Sequence, residues 1–549
     1  MRRLFLLGLI LAFSFAVFGT RIDTGKVSAQ PPGASAPSPR VVHSIAHDVS
    51  PPLRDIAPIP PSPGPTVRVI PMQPLPKARG PKAPSRDGRP IDPVVQDWHG
   101  PAAMPSPIRN FAGVSNVNGV LPPDTNGDVG PNHYVQWVNL SFAIWNKSGG
   151  LLYGPANGNT LWTGFGGACE STNDGDPIVL YDRLADRWLM SQFALPNFPS
   201  GPFYQCIAIS QTGDPTGAWY RYAFVVSTTK MNDYPKFGVW PDAYYMSVNQ
   251  FNAGSLSWAG AGVVAFERAK MLAGLSAAMV YFDLYEADPN LGGMLPSDLD
   301  GPNSPPTGSP NYFLQADDQA LGYPQDQLEL WKFHVNWTNP EQSTFTGPTL
   351  LATAAFDSNL CNYARNCIPQ RGTRRKLDAI SDRLMYRLAY RNFGSHESLV
   401  ANHTVDASGF NRAGIRWYEI RDPGGTPAIY QQGTYAPLGG HRWMGSIAMD
   451  GAGNIALGYS VSGLFTYPSI RYAGRLASDP LGTLPQGEAK LIAGGGSQTS
   501  SSSRWGDYSM LKVDPTDDCT FWYTQEYYSS TSTSGWKTRI GSFKFSSCP

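Results

Sequence analysis

From Phe111 to the C-terminus the chain repeats one pattern: a short apolar run, then Asp or Asn beside Pro or Gly, then an alternating strand rich in aromatic residues. Its clearest copies are Val239-Trp240-Pro241-Asp242 leading into Tyr244-Tyr245-Met246-Ser247-Val248, and Val513-Asp514-Pro515 leading into Phe521-Trp522-Tyr523. Tyr181-Asp182 before Trp188-Leu189-Met190 and Met449-Asp450-Gly451 before Ile455-Ala456-Leu457 follow the same form. Weaker copies stand at Asn132, Asn311 and Asp382. Alternation with period two and aromatic enrichment are strand signals, and the polar clusters between them are turn signals.

Turn positions 132, 182, 242, 311, 382, 450 and 514 are separated by 50, 60, 69, 71, 68 and 64 residues. That spacing accommodates a four-stranded sheet with its loops, and a ring of such sheets leaves an all-β chain with few exposed edges. The pattern predicts an all-β, seven-bladed β-propeller of four-stranded antiparallel blades over residues 108–549. A long β-sandwich or two smaller β domains is the alternative. The last repeat supplies only three good strands, around Tyr508, Phe521 and Trp536. Ile108–Ser115 is predicted to be its fourth and to close the ring.

Composition changes the picture at the N-terminus. Residues 30–107 hold 21 of the 50 prolines. So many missing backbone donors predict a solvated, disordered spacer, or a pro-segment that is cleaved. Ahead of it, Arg2 and Arg3, the apolar run Leu4–Phe18 and Val27-Ser28-Ala29 read as a signal peptide over 1–29. The mature chain is therefore expected to be secreted, extracellular or held at the cell surface, and no later apolar run is long enough to span a membrane. With 42 Lys+Arg against 42 Asp+Glu the formal net charge is zero, which excludes the basic surplus of a nucleic-acid binder. Six cysteines in an exported chain predict three disulfides whose connectivity the sequence does not fix; Cys361 and Cys367 are close enough to close a small loop, and pairing Cys519 with Cys548 would leave Cys169 with Cys206.

Leu121-Pro-Pro-Asp-Thr-Asn-Gly-Asp-Val-Gly-Pro-Asn-His-Tyr134, Arg504-Trp-Gly-Asp-Tyr-Ser509 and Asp518-Cys-Thr-Phe-Trp-Tyr523 resemble segments of exported bacterial β-propeller proteins, mostly of unassigned activity. The resemblance spans roughly Phe111 to the C-terminus and implies fold and export; it carries no catalytic residues. Sialidases use a similar architecture, but the S-x-D-x-G-x-T-W box that marks their blades is absent.

In a propeller the residues just before each inner strand converge on the mouth of the central funnel. That rule nominates Asp124 and Asp128, Asp174 and Asp176, Asp233, Asp378, the pair His441 and Arg442, and the pair Arg504 and Asp507 as ligand-binding. Clustered carboxylates and guanidinia suit a polar ligand, because Arg pairs bidentately and neighbouring acids shift one another's pKa. The alternative is that each Asp caps a turn through its own backbone. The dipeptides Arg442-Trp443 and Arg504-Trp505 place a ring beside a cation, an arrangement suited to stacking a sugar; otherwise the tryptophans pack between blades. Asp124, Asn126 and Asp128 alternate as calcium-loop ligands do, although Val129 and Val135 depart from an EF-hand. An Asn-Gly turn explains the same letters without metal. Two functions are expected from these features. One is a monomeric binding platform for extracellular polysaccharide or protein. The other is a glycoside hydrolase or lyase that uses funnel carboxylates and arginines.

Overall fold

The computed structural model of the protein describes residues 37–70, 75 and 92–549. The expected signal peptide lies outside the described residues. The architecture is all-β, with helices limited to single turns such as Gly167–Ser171 and Arg268–Leu272. Four-stranded antiparallel units follow one another along the chain. The first, for example, is Thr125–Val129, His133–Val138, Ser141–Asn146 and Leu151–Asn157, each strand paired to the next. The opening strands of the later units are Ile178–Asp182, Lys230–Val239, Leu295–Asp300, Leu384–Asn392, His441–Met449 and Met510–Val513. Each of these packs against the opening strand of the next unit, and Met510–Val513 packs against Thr125–Val129.

Burial explains why the opening strands and some outermost strands look different in sequence. Ile178–Asp182 (IVLYD) is buried at every position, as a strand covered on both faces must be. Fourth strands differ: Thr344–Ala352 and Ala428–Tyr435 mix exposed with buried residues, whereas Trp219–Ser227 and Ala278–Asp283 expose none. The turns expected at 132, 182, 242, 311, 450 and 514 lie at or within a few residues of the connection between a first and a second strand. The fifth does not. Asp382 precedes an opening strand, and that unit turns at residues 393–396 instead. The period was disturbed by the long connection 353–383, which carries the Cys361–Cys367 disulfide.

Arg109–Ser115 pairs antiparallel with Trp536–Lys544, Phe111 opposite Ile540, and so supplies the fourth strand of the last unit as its sequence predicts. Phe111 packs against Trp145 of the first unit and Trp522 of the last, with ring centroids 6.2 and 6.4 Å away. Three disulfides are formed, as the count of cysteines predicts: Cys169–Cys206, Cys361–Cys367 and Cys519–Cys548.

The Pro-rich segment departs from the solvated spacer expected of it. Ala46–Val49 adds an antiparallel strand to Trp219–Ser227, Arg40–His43 adds one to Ala278–Asp283, and Val95–Gln96 runs parallel to Ala428–Tyr435. Arg68–Val69 pairs in parallel with Val120–Leu121. Residues 40–50 contain no proline, so this stretch keeps the N–H groups that edge pairing requires, and it covers outer strands that would otherwise be open to other chains. Arg221, nearly fully buried, anchors the segment through Nε to Asp48 Oδ1 at 2.8 Å.

Phe111→Ala is expected to lower stability by about 2 kcal/mol, less than the 3–5 kcal/mol of a fully buried Phe because this ring is half-buried. Urea unfolding of the intact chain measures it. An unchanged midpoint would show that this strand contributes nothing to joining the first and last units.

Candidate functional site

Each unit carries a left-handed residue shortly before its opening strand or within that strand's first half: Asp124 (φ 48°), Asp176 (48°), Tyr234 (57°), Gly293 (64°), Ile380 (44°), Met444 (55°) and Asp507 (67°). Aspartate tolerates this region because its short side chain bonds locally. A β-branched residue does not, and Ile380 is held there by its surroundings.

Four carboxyls gather at these entrances. Asp124, Asp176, Asp233 and Asp507 all interact electrostatically with the fully buried Lys236. The Lys236 ammonium sits 3.6 Å from the Tyr234 ring centroid and 3.9 Å from that of Tyr508, and it donates to the Pro235 carbonyl at 3.0 Å. Asp176 Oδ2 accepts the Tyr234 N–H at 3.0 Å. Arg504 Nη1 lies 2.6 Å from Asp507 Oδ1 and 3.8 Å from Asp378 Oδ2. Arg365 reaches Asp378 at 3.5 Å and Asp382 at 3.4 Å, beside an opening lined by Tyr363, Arg365, Asp378, Ser381 and Asp382. The Pro-rich segment arrives here too: Arg504 Nε donates to the Ile70 carbonyl at 2.7 Å.

Burial sets the protonation pattern. It pushes the Asp233 carboxyl up to about 7, with Asp176 and Asp507 adding to the rise against Arg383 and Lys236. Burial also raises Asp124, reinforced by Asp507 and Asp176, and raises Asp176 itself. Lys236 is brought down to about 8 by the same desolvation, opposed by the four acids around it. A carboxyl titrating near neutrality beside other acids and a softened lysine is the environment that acid–base chemistry needs.

The structure thus brings together Asp176, Asp233, Asp507, Arg504 and, through Arg504, Asp378. It separates the others. Arg442 turns to the outer strand of its own unit, where Nε meets Glu488 Oε2 at 2.7 Å. The two Arg-Trp dipeptides are offset by one residue relative to the left-handed position: Arg504 stands three residues before Asp507, Arg442 two before Met444. In extended chain, one residue of slip reverses the side a residue faces. Trp443 and Trp505 are fully buried and pack on each other at 5.7 Å, Trp505 Nε1 donating to Ser460 Oγ at 3.1 Å. His441 accepts the Ala413 N–H on Nδ1 at 3.2 Å, and burial and Arg412 lower its pKa to about 4.

The expected calcium ligands do not fit a metal loop. Residues 125–129 are a strand. Asn126 Oδ1 accepts the Val179 N–H at 2.6 Å, and Asp128 Oδ2 accepts that of Tyr181 at 2.8 Å with Lys512 Nζ 3.2 Å away. Asp124 joins the carboxyl cluster, as its position before an opening strand predicts. Among the described residues no group of three or more His, Cys, Asp or Glu is placed to hold a metal ion. Lys236 was missed by sequence reasoning, although a lone lysine inside the otherwise largely apolar run Tyr234–Trp240 was the available signal.

No protein-family model and no curated protein sequence matches the chain. Among solved structures, it is similar to the α-L-arabinanase of Penicillium chrysogenum, at 10% identity and a TM-score of 0.32, covering 66% of this chain and 95% of that one. An ulvan lyase, a polysaccharide lyase, aligns at 9% identity and a TM-score of 0.34 over 81% of this chain and 94% of its own. The endosialidase of phage phi92 aligns at 8% and 0.35 over 66% of each.

A carboxyl with a raised folded pKa stabilises the fold below its unfolded value and loses that contribution as pH climbs through the folded one. Asp233, at about 7, therefore costs stability between about pH 4 and pH 7. Asp233→Asn is expected to flatten the fall in melting temperature over that window and to melt higher than the parent at pH 8. Parallel melting curves for the two proteins would show that Asp233 is ionised throughout.

Proposed function

We propose that the chain is a secreted, monomeric seven-bladed β-propeller that cleaves extracellular polysaccharide at the mouth of its funnel. The packing of each opening strand on the next supports the propeller, and the three disulfides support an oxidising compartment. The observation that carries the reaction is the Asp233 carboxyl, half-buried and titrating at about 7 within a set of acids. In this reading Asp233 delivers its proton to the departing sugar oxygen while a water molecule attacks the anomeric carbon and passes its proton to Asp507. Asp507, aligned by Arg504 at 2.6 Å, is the carboxylate partner, and Lys236, softened to about 8, is the second group that titrates within the working range.

A second reading, the non-catalytic binding platform, is favoured by one contact: the Ile70 carbonyl on Arg504 spends part of the mouth's donor capacity on the protein itself. Incubating the purified protein with a panel of polysaccharides, and reading both released reducing ends and retention, separates the two. New reducing ends are expected, falling about 10²- to 10⁴-fold in Asp233→Asn and declining above pH 7 in the parent. Retention without cleavage across the panel would replace the enzyme with the platform.

A further inference from the structure

Charge on this protein balances overall but not locally. The connection 353–383 contains the sequence Arg371-Gly372-Thr373-Arg374-Arg375-Lys376, four cations in six residues on a chain of zero net charge. All four cations are exposed, and among the described residues none is in an ion pair. Elsewhere on this chain exposed cations do find acids, as Arg54 finds Asp214 at 3.3 Å and Lys270 finds Glu267 at 3.1 Å.

The tip is held rather than loose. Ile368 and Leu377 exchange backbone hydrogen bonds at 2.9 and 2.8 Å, just beyond the Cys361–Cys367 disulfide. Inside that neck Gln370 Nε2 donates to the Arg375 carbonyl at 3.1 Å, and Ser497 Oγ donates to the Arg371 carbonyl at 2.7 Å. Ser462 Oγ donates to the Pro369 carbonyl at 2.6 Å, which brings the neighbouring hairpin alongside. That hairpin carries Leu464 and Phe465, 69% and 88% exposed, and Tyr467, whose ring lies 4.9 Å from the Arg371 guanidinium. Two residues beyond Lys376 the chain reaches Asp378, which faces Arg504 at the mouth.

We infer that this tip is a binding site for an anionic polysaccharide, one bearing carboxylate or sulfate groups. Three of the four cations are arginines, whose planar forks match such oxyanions bidentately. Phe465 and Tyr467 offer ring faces of the kind on which sugars stack, and fixed loop anchors suit anions repeated along a polymer. A fluid anionic membrane would need no such fixed spacing. The inference rests on the polysaccharide reading for the sugar and goes beyond it by giving the substrate its charge.

The test uses the full chain, its Asp233→Asn variant, and a variant carrying Arg374→Ala, Arg375→Ala and Lys376→Ala. The probes are polygalacturonate, dextran sulfate, neutral dextran and phosphatidylglycerol vesicles. Parent and Asp233→Asn are expected to bind a polyanion equally, with salt weakening both. The triple variant, with an unchanged melting temperature, is expected to bind about tenfold or more weakly. Neutral dextran is not retained. The two polyanions distinguish carboxylate from sulfate recognition. Equal polyanion binding by parent and triple variant, or retention on vesicles alone, overturns the inference. Cleavage of neutral polysaccharide with no polyanion binding overturns it while leaving the proposed reaction intact, and polyanion binding with no cleavage anywhere does the reverse.

Discussion

The opening strand of each unit has one ladder partner in its own sheet, and its other edge looks inward with backbone N–H groups to satisfy. Leaving them bare in a dry interior costs more than any single contact returns. Among the described residues only one neighbouring pair solves this by backbone pairing: Leu295–Asp300 runs parallel to Leu384–Asn392. Elsewhere side chains take the place of a ladder. Besides Asn126 and Asp128, Asp298 Oδ1 accepts the Val239 N–H at 3.0 Å and Ser446 Oγ that of Leu511 at 3.0 Å. Those carboxylates in turn need counter-charge. Lys512 lies 2.8 Å from Asp298 and 3.2 Å from Asp128, and Arg387 is 3.4 Å from Asp298. A polar, charge-paired interior therefore follows from how the strands meet, before any ligand is considered.

This requirement clarifies which charged residues are free for chemistry. At the far ends of the opening strands the charges are used up in pairing. At the entrances the balance differs, because Asp124, Asp176, Asp233 and Asp507 outnumber the cations that reach them closely, and one of them holds its proton into the neutral range. The site of interest is thus the place where structural pairing leaves a surplus.

Strand identity, repetition, the number of disulfides and the closing strand were legible in the sequence because each depends on local pattern or simple counting. The side of the chain on which Arg442 lies was not legible: it depends on a bulge between Trp443 and Ser446 that no residue in the dipeptide announces. The alternating oxygens of residues 124–128 suggested a metal loop, whereas their spacing reflects the period-two geometry of a strand whose inward face serves a neighbour's amides. Proline counting misjudged residues 40–50, since an average over 30–107 conceals a run with all its donors intact.

The pairing of Asn110 with Gly541 joins positions 431 residues apart. A chain made from its N-terminus at about 5–20 residues per second waits roughly 20–90 s between making the first of these and the second. Throughout that interval Arg109–Ser115 has no partner, and its eventual contact is among the most non-local the topology contains, the kind that slows folding. Completion of this sheet is thereby tied to a strand made long after its partner.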